Sequence, residues 1–334
     1  MGTVEVPDKH CLHPGKGFGI SAYVQDMACF VGQMEVFDEA SETLNRIGGI
    51  ALSDKQIERV CHKYGQALET QPAEEQSGSK LKEEWHYAMA DGAMVLTRQK
   101  DKDGKSKWAE MKLGRVFQAA AHVGLGPEQE SRKWIRESQY VAHLGNCDDF
   151  FDKFMPVLDP IKHLIFIADG AKWIWERVHA FYPNAIQILD FFHAMEHLWA
   201  LLNLCWKANF ETESQRNEWA QTQKQLLLEG LVSQVSEHIA ALSVTTKEQT
   251  EKQAELLQYY ENNKERMDYG TYLENGWLIG SGPIESAHRE VIQKRLKRSG
   301  QRWTLPGAQQ IANLRVAYKS NKWDRVQNLI KIRA

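Results

Sequence analysis

The chain carries no CxxC pair, no membrane-length apolar run, no internal repeat and no low-complexity tract. Its five cysteines, Cys11, Cys29, Cys61, Cys147 and Cys205, are odd in number and widely spaced. That excludes a zinc ribbon and a disulfide framework, and it fits a reducing compartment. The strongest apolar run, His163 to Ile167, breaks at Asp169 and Gly170, far short of a bilayer span. The opening MGTVEVPDKHCLHP has neither the basic nor the apolar region of a secretory signal. With 43% apolar and 25% charged residues the composition is globular rather than disordered. These absences together predict a protein of the cytoplasm.

The net charge of −3 hides an asymmetry. From Ser286 onward there are twelve Lys or Arg against Glu290 and Asp324, which leaves the rest of the chain acidic. A basic end on an acidic body is one footprint of a polyanion partner, because each neutralised phosphate releases a counterion. A solvated helix face is the plainer explanation of the same residues.

The first 70 residues read as helices. Phe37 to Arg46 carries apolar positions at Phe37, Ala40 and Leu44, Gly48-Gly49 breaks it, and Ser53 is an N-cap candidate for Ile57, Val60 and Tyr64. Two helices around such a turn are a degenerate helix-turn-helix in outline. From Gln33 to Glu69 seven carboxylates accompany four cations, however, which favours packing over DNA reading. Residues 71–82 are polar with Pro and Gly, and read as a linker. A core follows over 83–191. Trp85 to Thr97 and Trp108 to Phe117 form a hairpin around KDKDGKSK, with a third strand at Tyr140 to Leu144. After a helix at Asp148 to Leu158, apolar strands at His163 to Ala168 and Ala185 to Leu189 flank a helix at Lys172 to Phe181. Antiparallel strands followed by parallel ones predict a mixed α/β sheet with flanking helices. Residues 192–275 show only helical periodicity and read as an all-helical insertion. Residues 276–334 hold a closing helix, entered at Pro283 and ended by Gly300, and then the basic C-terminal region. Ile284, Ala287 and Val291 are expected to pack this helix on the sheet.

Asp91 sits inside the first strand, where an uncompensated carboxylate is costly to bury. Asp169 ends the fourth strand, at the edge where open α/β sheets place ligands. In a meander-then-crossover sheet the first and fourth strands are neighbours, so the two converge despite lying 78 residues apart. Glu285, in the first turn of the closing helix, is the third candidate. Clustered carboxylates repel one another unless a cation holds them, and all-oxygen ligation suits Mg²⁺ or Mn²⁺. Two such ions about 4 Å apart serve phosphodiester cleavage. Asp-Gly is also an ordinary turn, and acidic residues are common in first turns for dipole reasons.

The segments MADGAMV (89–95), FIADGAKWIW (166–175), ILDFFHAMEHLW (188–199) and GSGPIESAHREVIQKRLKRSGQRW (280–303) together resemble bacterial insertion-sequence transposases of the ISKra type, relatives of the Mutator-like DDE enzymes. The resemblance spans about residues 85 to 325. It implies an RNase H-like fold interrupted by a helical insertion, with Asp91, Asp169 and Glu285 as the triad holding two Mg²⁺ or Mn²⁺ ions. The D-x-x-H signature maps onto Asp190 and His193 as supporting residues. The implied reaction is hydrolytic nicking of double-stranded DNA, followed by attack of the freed 3′-hydroxyl on target DNA, by a homo-oligomer acting at the nucleoid. Arg289, Lys294, Arg295, Lys297, Arg298 and Arg302 would hold phosphates and Trp303 would stack on a base, its alternative being a packed aromatic. A truncated or domesticated DNA-binding relative is the second reading.

A rival pattern lies inside the same segment. His193-Ala-Met-Glu196-His197 matches HxxEH, with two imidazoles one turn apart able to grip zinc and Glu196 as base. Glu261, Glu265 or Glu274 would supply a third ligand. This metallopeptidase reading leaves Asp91, Asp169 and the basic end unexplained.

Overall fold

A computed structural model describes residues 19–70, 82–120 and 134–333; the expected linker at 71–82 falls almost wholly outside them. Among the described residues three helices come first: α1 (Ala22–Gly32), α2 (Phe37–Gly48) and α3 (Asp54–Thr70). Strands β1 (Lys82–Lys100), β2 (Ser106–Ala120) and β3 (Trp134–Leu144) follow, then α4 (Cys147–Leu158), β4 (Ile161–Ala168), α5 (Lys172–Phe181) and β5 (Ile186–Leu189). The strands form one sheet in the order β3-β2-β1-β4-β5. β1 pairs antiparallel with β2 and β2 with β3, whereas β1–β4 and β4–β5 are parallel, giving the mixed sheet the strand pattern predicts.

Side chains alternate across a strand, and the core divides accordingly. Ala88, Ala90, Val116, Leu164 and Phe166 face one side, where α4 (Phe150, Phe151, Phe154) and α5 (Ile174, Val178) cover them. Tyr87, Met89, Leu113, Ile165 and Ile167 face the other side, within the larger core. Asp91 has the parity of Tyr87 and Met89, so it belongs to that second face.

Between β5 and the closing helix the chain is helical: α6 (Phe191–Asn209), α7 (Glu213–Leu228), α8 (Val232–Ala240), α9 (Lys247–Asn263), a 3₁₀ turn at Lys264–Arg266, and α10 (Tyr269–Glu274). Capping boxes at Thr212/Gln215 and Thr246/Gln249 start α7 and α9. The closing helix α11 (Gly282–Ala287) continues with π winding over His288–Gln293 and a last α turn at Lys294–Leu296. Its Ile284, Ala287 and Val291 are buried in the sheet's second face, as their spacing predicts. The helical winding ends at Leu296, four residues before the Gly300 expected to stop it, and Gly300 adopts φ +77° in the turn that follows. Finally come α12 (Leu305–Lys319), entered through the N-cap Thr304, and α13 (Trp323–Arg333).

The N-terminal helices are built into this C-terminal layer. Arg315 of α12 donates to the Gln33 carbonyl at 2.9 Å, Asn313 donates to the Gly65 carbonyl at 2.9 Å, and Arg295 donates to the Gly32 carbonyl at 3.0 Å. Ile57, Val60, Cys61 and Tyr64 of α3 are buried in the common core, so one face of α3 packs there. Gly65 lies against α12 so closely that a Cβ there would stand 2.2 Å from the Gln310 carbonyl oxygen. Gly65→Ala is therefore expected to destabilise the whole protein by about 1–3 kcal/mol. A thermal melt reads this as one lowered transition; an unchanged melting temperature would mean the two ends do not depend on each other.

Candidate active site

Register places three carboxylates in a row. The β1–β4 pairing ends at Met89↔Ile167, and two residues further along each strand lie Asp91 and Asp169. The β4–β5 pairing ends at Ala168↔Leu189, and the next residues are Asp169 and Asp190. The Asp190 amide still donates to the Ala168 carbonyl at 2.8 Å, which holds the third member at the same edge. Each aspartate is fixed locally: Asp91 accepts from the Gly92 amide (2.6 Å), Asp169 from the Ala171 amide (2.9 Å), and Asp190 from the Phe192 amide as N-cap of α6 (2.9 Å).

Helix α11 brings Glu285 to this row through its neighbours. The Ser281 hydroxyl donates to Asp190 at 2.5 Å and lies 3.4 Å from a Glu285 carboxylate oxygen. Three residues past Glu285, the buried His288 places Nε2 3.3 Å from Asp91. On the opposite side, Tyr259 of α9 crosses Gly170 so tightly that a Cβ would sit 2.1 Å from the ring, which makes glycine necessary directly after Asp169.

Burial governs the electrostatics. It raises Asp91 to about 6; the Gly92 hydrogen bond opposes this and the Asp169 charge adds to it. Burial also raises Asp190, against the hydrogen bonds from Ser281 and Phe192. His288 is pushed down to about 4 by burial, so at neutral pH its contact with Asp91 is not an ion pair. Tyr259 is raised by burial and then by the charges of Asp169 and Asp190. The site thus holds more negative charge than it neutralises.

One stability prediction follows from Asp91. Its folded pKa of about 6 lies above the unfolded value of about 3.9, so its ionisation penalty is complete above pH 6 and vanishes below pH 4. Asp91→Asn is expected to stabilise the cation-free protein at pH 8 by about 1 kcal/mol, after discounting for solvent screening of a partly exposed carboxylate. The gain should shrink as pH falls from 6 to 4. Melting curves at pH 8 and pH 4 check this, and equal gains at both would refute the assignment.

Among the described residues no group of three or more His, Cys, Asp or Glu side chains is already gathered around one point able to hold a metal ion. This bears on both sequence-derived metal readings. The carboxylates fit Mg²⁺ or Mn²⁺ by donor chemistry, since Asp91, Asp169 and Glu285 offer only oxygen and Asp91 carries a charge that its burial disfavours. In the HxxEH segment, His193 and His197 approach Nε2 to Nε2 at 3.3 Å, and Glu196 lies 3.4 Å from His193 Nδ1. His197 packs on the Tyr259 ring at 4.4 Å and is held below the usual histidine range, by burial first and then by His193.

Two of the residues expected to meet DNA, Arg295 and Trp303, are buried. Arg295 is 1% exposed, bonded to the Gly32 carbonyl and lying over the rings of Phe37 and Trp303. Trp303 is buried, donates to the Leu296 carbonyl at 3.0 Å, and joins the end of β1 through backbone bonds to Leu96 and Arg98. Neither side chain is open to a duplex passing over the surface. Arg289, Lys294, Lys297, Arg298 and Arg302 are exposed; Lys294 pairs with Glu290, and Arg298 pairs with Glu39 at 2.6 Å. Sequence reasoning also passed over Ser281, His288 and Tyr259. The signal for His288 was available in its spacing of three from Glu285, whereas Ser281 and Tyr259 carried none.

No helix among the described residues is long and apolar enough to cross a membrane. A UPF0236 protein in the vanSb 3′ region of Streptococcus gallolyticus is 22% identical over 335 residues, covering 95% of this chain and 69% of that relative. Among solved structures, the Drosophila P element transposase strand transfer complex matches with a TM-score of 0.30 and 9% identity, over 95% of this chain and 84% of that one. At that score the likeness carries no argument. Residues 20–330 match the uncharacterised protein family UPF0236, and the chain belongs to that family.

Proposed function

We propose that the chain is a DNA-cleaving and DNA-joining enzyme of the DDE transposase kind, with an RNase H-like core, resembling the ISKra type in its four motifs. The observation that carries the reading is the register row of Asp91, midway along β1, with Asp169 and Asp190, which directly follow the carboxyl ends of β4 and β5, and with Glu285 tied to the row through Ser281. In this reading Asp91, Asp169 and Glu285 hold two Mg²⁺ or Mn²⁺ ions. When bound, such ions activate the attacking oxygen and stabilise the leaving oxygen of a phosphodiester.

The chain's own residues do the rest. Asp190 orients Ser281, and Ser281 steadies the Glu285 carboxylate. His288 keeps α11 seated against Asp91 without adding charge at neutral pH. Tyr259 covers the turn after Asp169 and limits water on that side. The exposed cations Arg289, Lys294, Lys297, Arg298 and Arg302 would meet the DNA backbone. The implied partners are element ends and target DNA, with two copies or more bringing the ends together.

Nicking of supercoiled plasmid with Mg²⁺, Mn²⁺ or Zn²⁺ supplied separately tests this. The expected result is nicking with Mg²⁺ or Mn²⁺ that disappears in Asp169→Asn. Salt-sensitive DNA binding without any cleavage would replace this reading with a non-mobile DNA-binding relative. Zinc binding lost in His197→Ala but kept in Asp169→Asn would replace it with the HxxEH metallopeptidase.

A further inference from the structure

A cavity of about 390 Å³ lies away from the carboxylate row, between the start of α3, the end of β1 and the segment joining α11 to α12. Its lining includes Lys55, Arg98, Arg295 and Arg302, with Glu58 as the carboxylate among them. Glu58 is matched by Lys55 at 3.0 Å, so the remaining cations are uncompensated within the cavity wall.

The innermost of these is the informative one. Arg295 is 1% exposed, and its Nε is used by the Gly32 carbonyl, yet Nη1 and Nη2 have no hydrogen-bond partner. Its guanidinium carbon lies 4.8 Å from the Phe37 ring centroid and 5.0 Å from that of Trp303. Ring contacts of that kind do not replace the oxygen acceptors that guanidinium N–H groups take in their own plane. A further cavity group, His62 Nε2, which donates in one tautomer, is likewise buried without a partner. Burying an unpaired guanidinium is costly, and an anionic acceptor with several oxygens is the group that would offset it. The N-cap Thr304 of α12 also lines the cavity, and the amino end of that 15-residue helix adds favourable potential for an anion.

We propose that this cavity is a phosphate-binding site that takes the phosphoryl group of a phosphate ester, supplied by a nucleic acid strand or by a free nucleotide. Arg295 donates from the floor, while Arg98 and Arg302 close over the anion from the exposed rim. The volume accommodates a phosphoryl group with part of its nucleoside attached. The site is separate from the proposed cleavage chemistry and does not depend on it.

Calorimetric titration of the full chain with inorganic phosphate, without DNA or divalent metal, is the test. Saturable binding is expected, weakened about tenfold by Arg98→Gln and by Arg302→Gln, as for loss of one charge-assisted hydrogen bond. Both side chains are exposed, so unchanged melting temperatures separate lost binding from lost folding. Arg46→Gln, an exposed cation on α2 outside the cavity, should bind as the unaltered protein does. Absence of saturable binding, or equal weakening in all three variants, would overturn the proposal. Competition then identifies the source: displacement of phosphate by an oligonucleotide points to a strand, and displacement by adenosine monophosphate alone points to a free nucleotide.

Discussion

Asp169→Asn is expected to reduce Mg²⁺-dependent DNA nicking by roughly 10³-fold or more, while leaving the fold intact. The two halves of this expectation have separate causes. Asn keeps the side-chain oxygen that accepts from the Ala171 amide, so the turn into α5 retains its hydrogen bond. The neighbouring Trp175 indole donates to the backbone carbonyl of residue 169, which the substitution does not touch. What disappears is the carboxylate midway along the row, between Asp91 of β1 and Asp190 after β5. Loss of that charge also removes repulsion on Asp91, so the cation-free variant should melt no lower than the unaltered protein. Single-turnover nicking beside a thermal melt measures both quantities. A variant that nicks at full rate would remove Asp169 from the chemistry.

The second large effect is structural. Arg315→Met is expected to destabilise the protein by about 3–5 kcal/mol. Arg315 is 3% exposed, and its guanidinium donates to the carbonyls of Gln33, Val291 and Glu290. Glu290 and Val291 lie in the π-wound stretch of α11, where the regular i→i+4 pattern is replaced. The side chain therefore stabilises the unusual winding of the same helix that presents Glu285 and His288, and it also fastens the end of α1 to α12. Methionine preserves much of the apolar stem but leaves these buried carbonyls short of donors. Denaturant unfolding measures the loss. A change below about 1 kcal/mol would show that the carbonyls find other partners, and would separate the π winding from Arg315.

Much of the sheet was legible because its physics is local. The alternation of Tyr87 and Met89 with Ala88 and Ala90 announces a strand covered on both faces, and the apolar blocks ending at Asp169 and Asp190 announce parallel strands whose ends carry function. The first half of β3 was missed because Arg136 to Gln139 lacks apolar alternation on an edge strand, where solvent satisfies polar side chains. The π winding at His288–Gln293 has no residue signature, since it depends on α12 packed against it. The burial of Arg295 is not legible from a charge count, which does not report which helix face a residue occupies. Its spacing of four from the buried Val291 was the available clue that it points inward. Trp303 was half-read for a similar reason: an aromatic after a basic run looks like a base-stacking group until β1 is found beside it.

The site itself was legible as residue types but not as a network. Asp91, Asp169 and Glu285 follow from a carboxylate inside a strand, a strand end and a helix start, yet the link between Glu285 and the row runs through Ser281 and Asp190, side chains brought together across 91 residues of sequence by the helical insertion.

Manganese binding followed by electron paramagnetic resonance tests the central assignment most directly, because it needs neither a DNA sequence nor turnover. The unaltered protein should take up Mn²⁺, and Asp91→Asn, Asp169→Asn and Glu285→Gln should each weaken that uptake, with His197→Ala leaving it unchanged. Uptake that survives all three carboxylate substitutions, or that is lost only in His197→Ala, would contradict the carboxylate row as the metal-holding site.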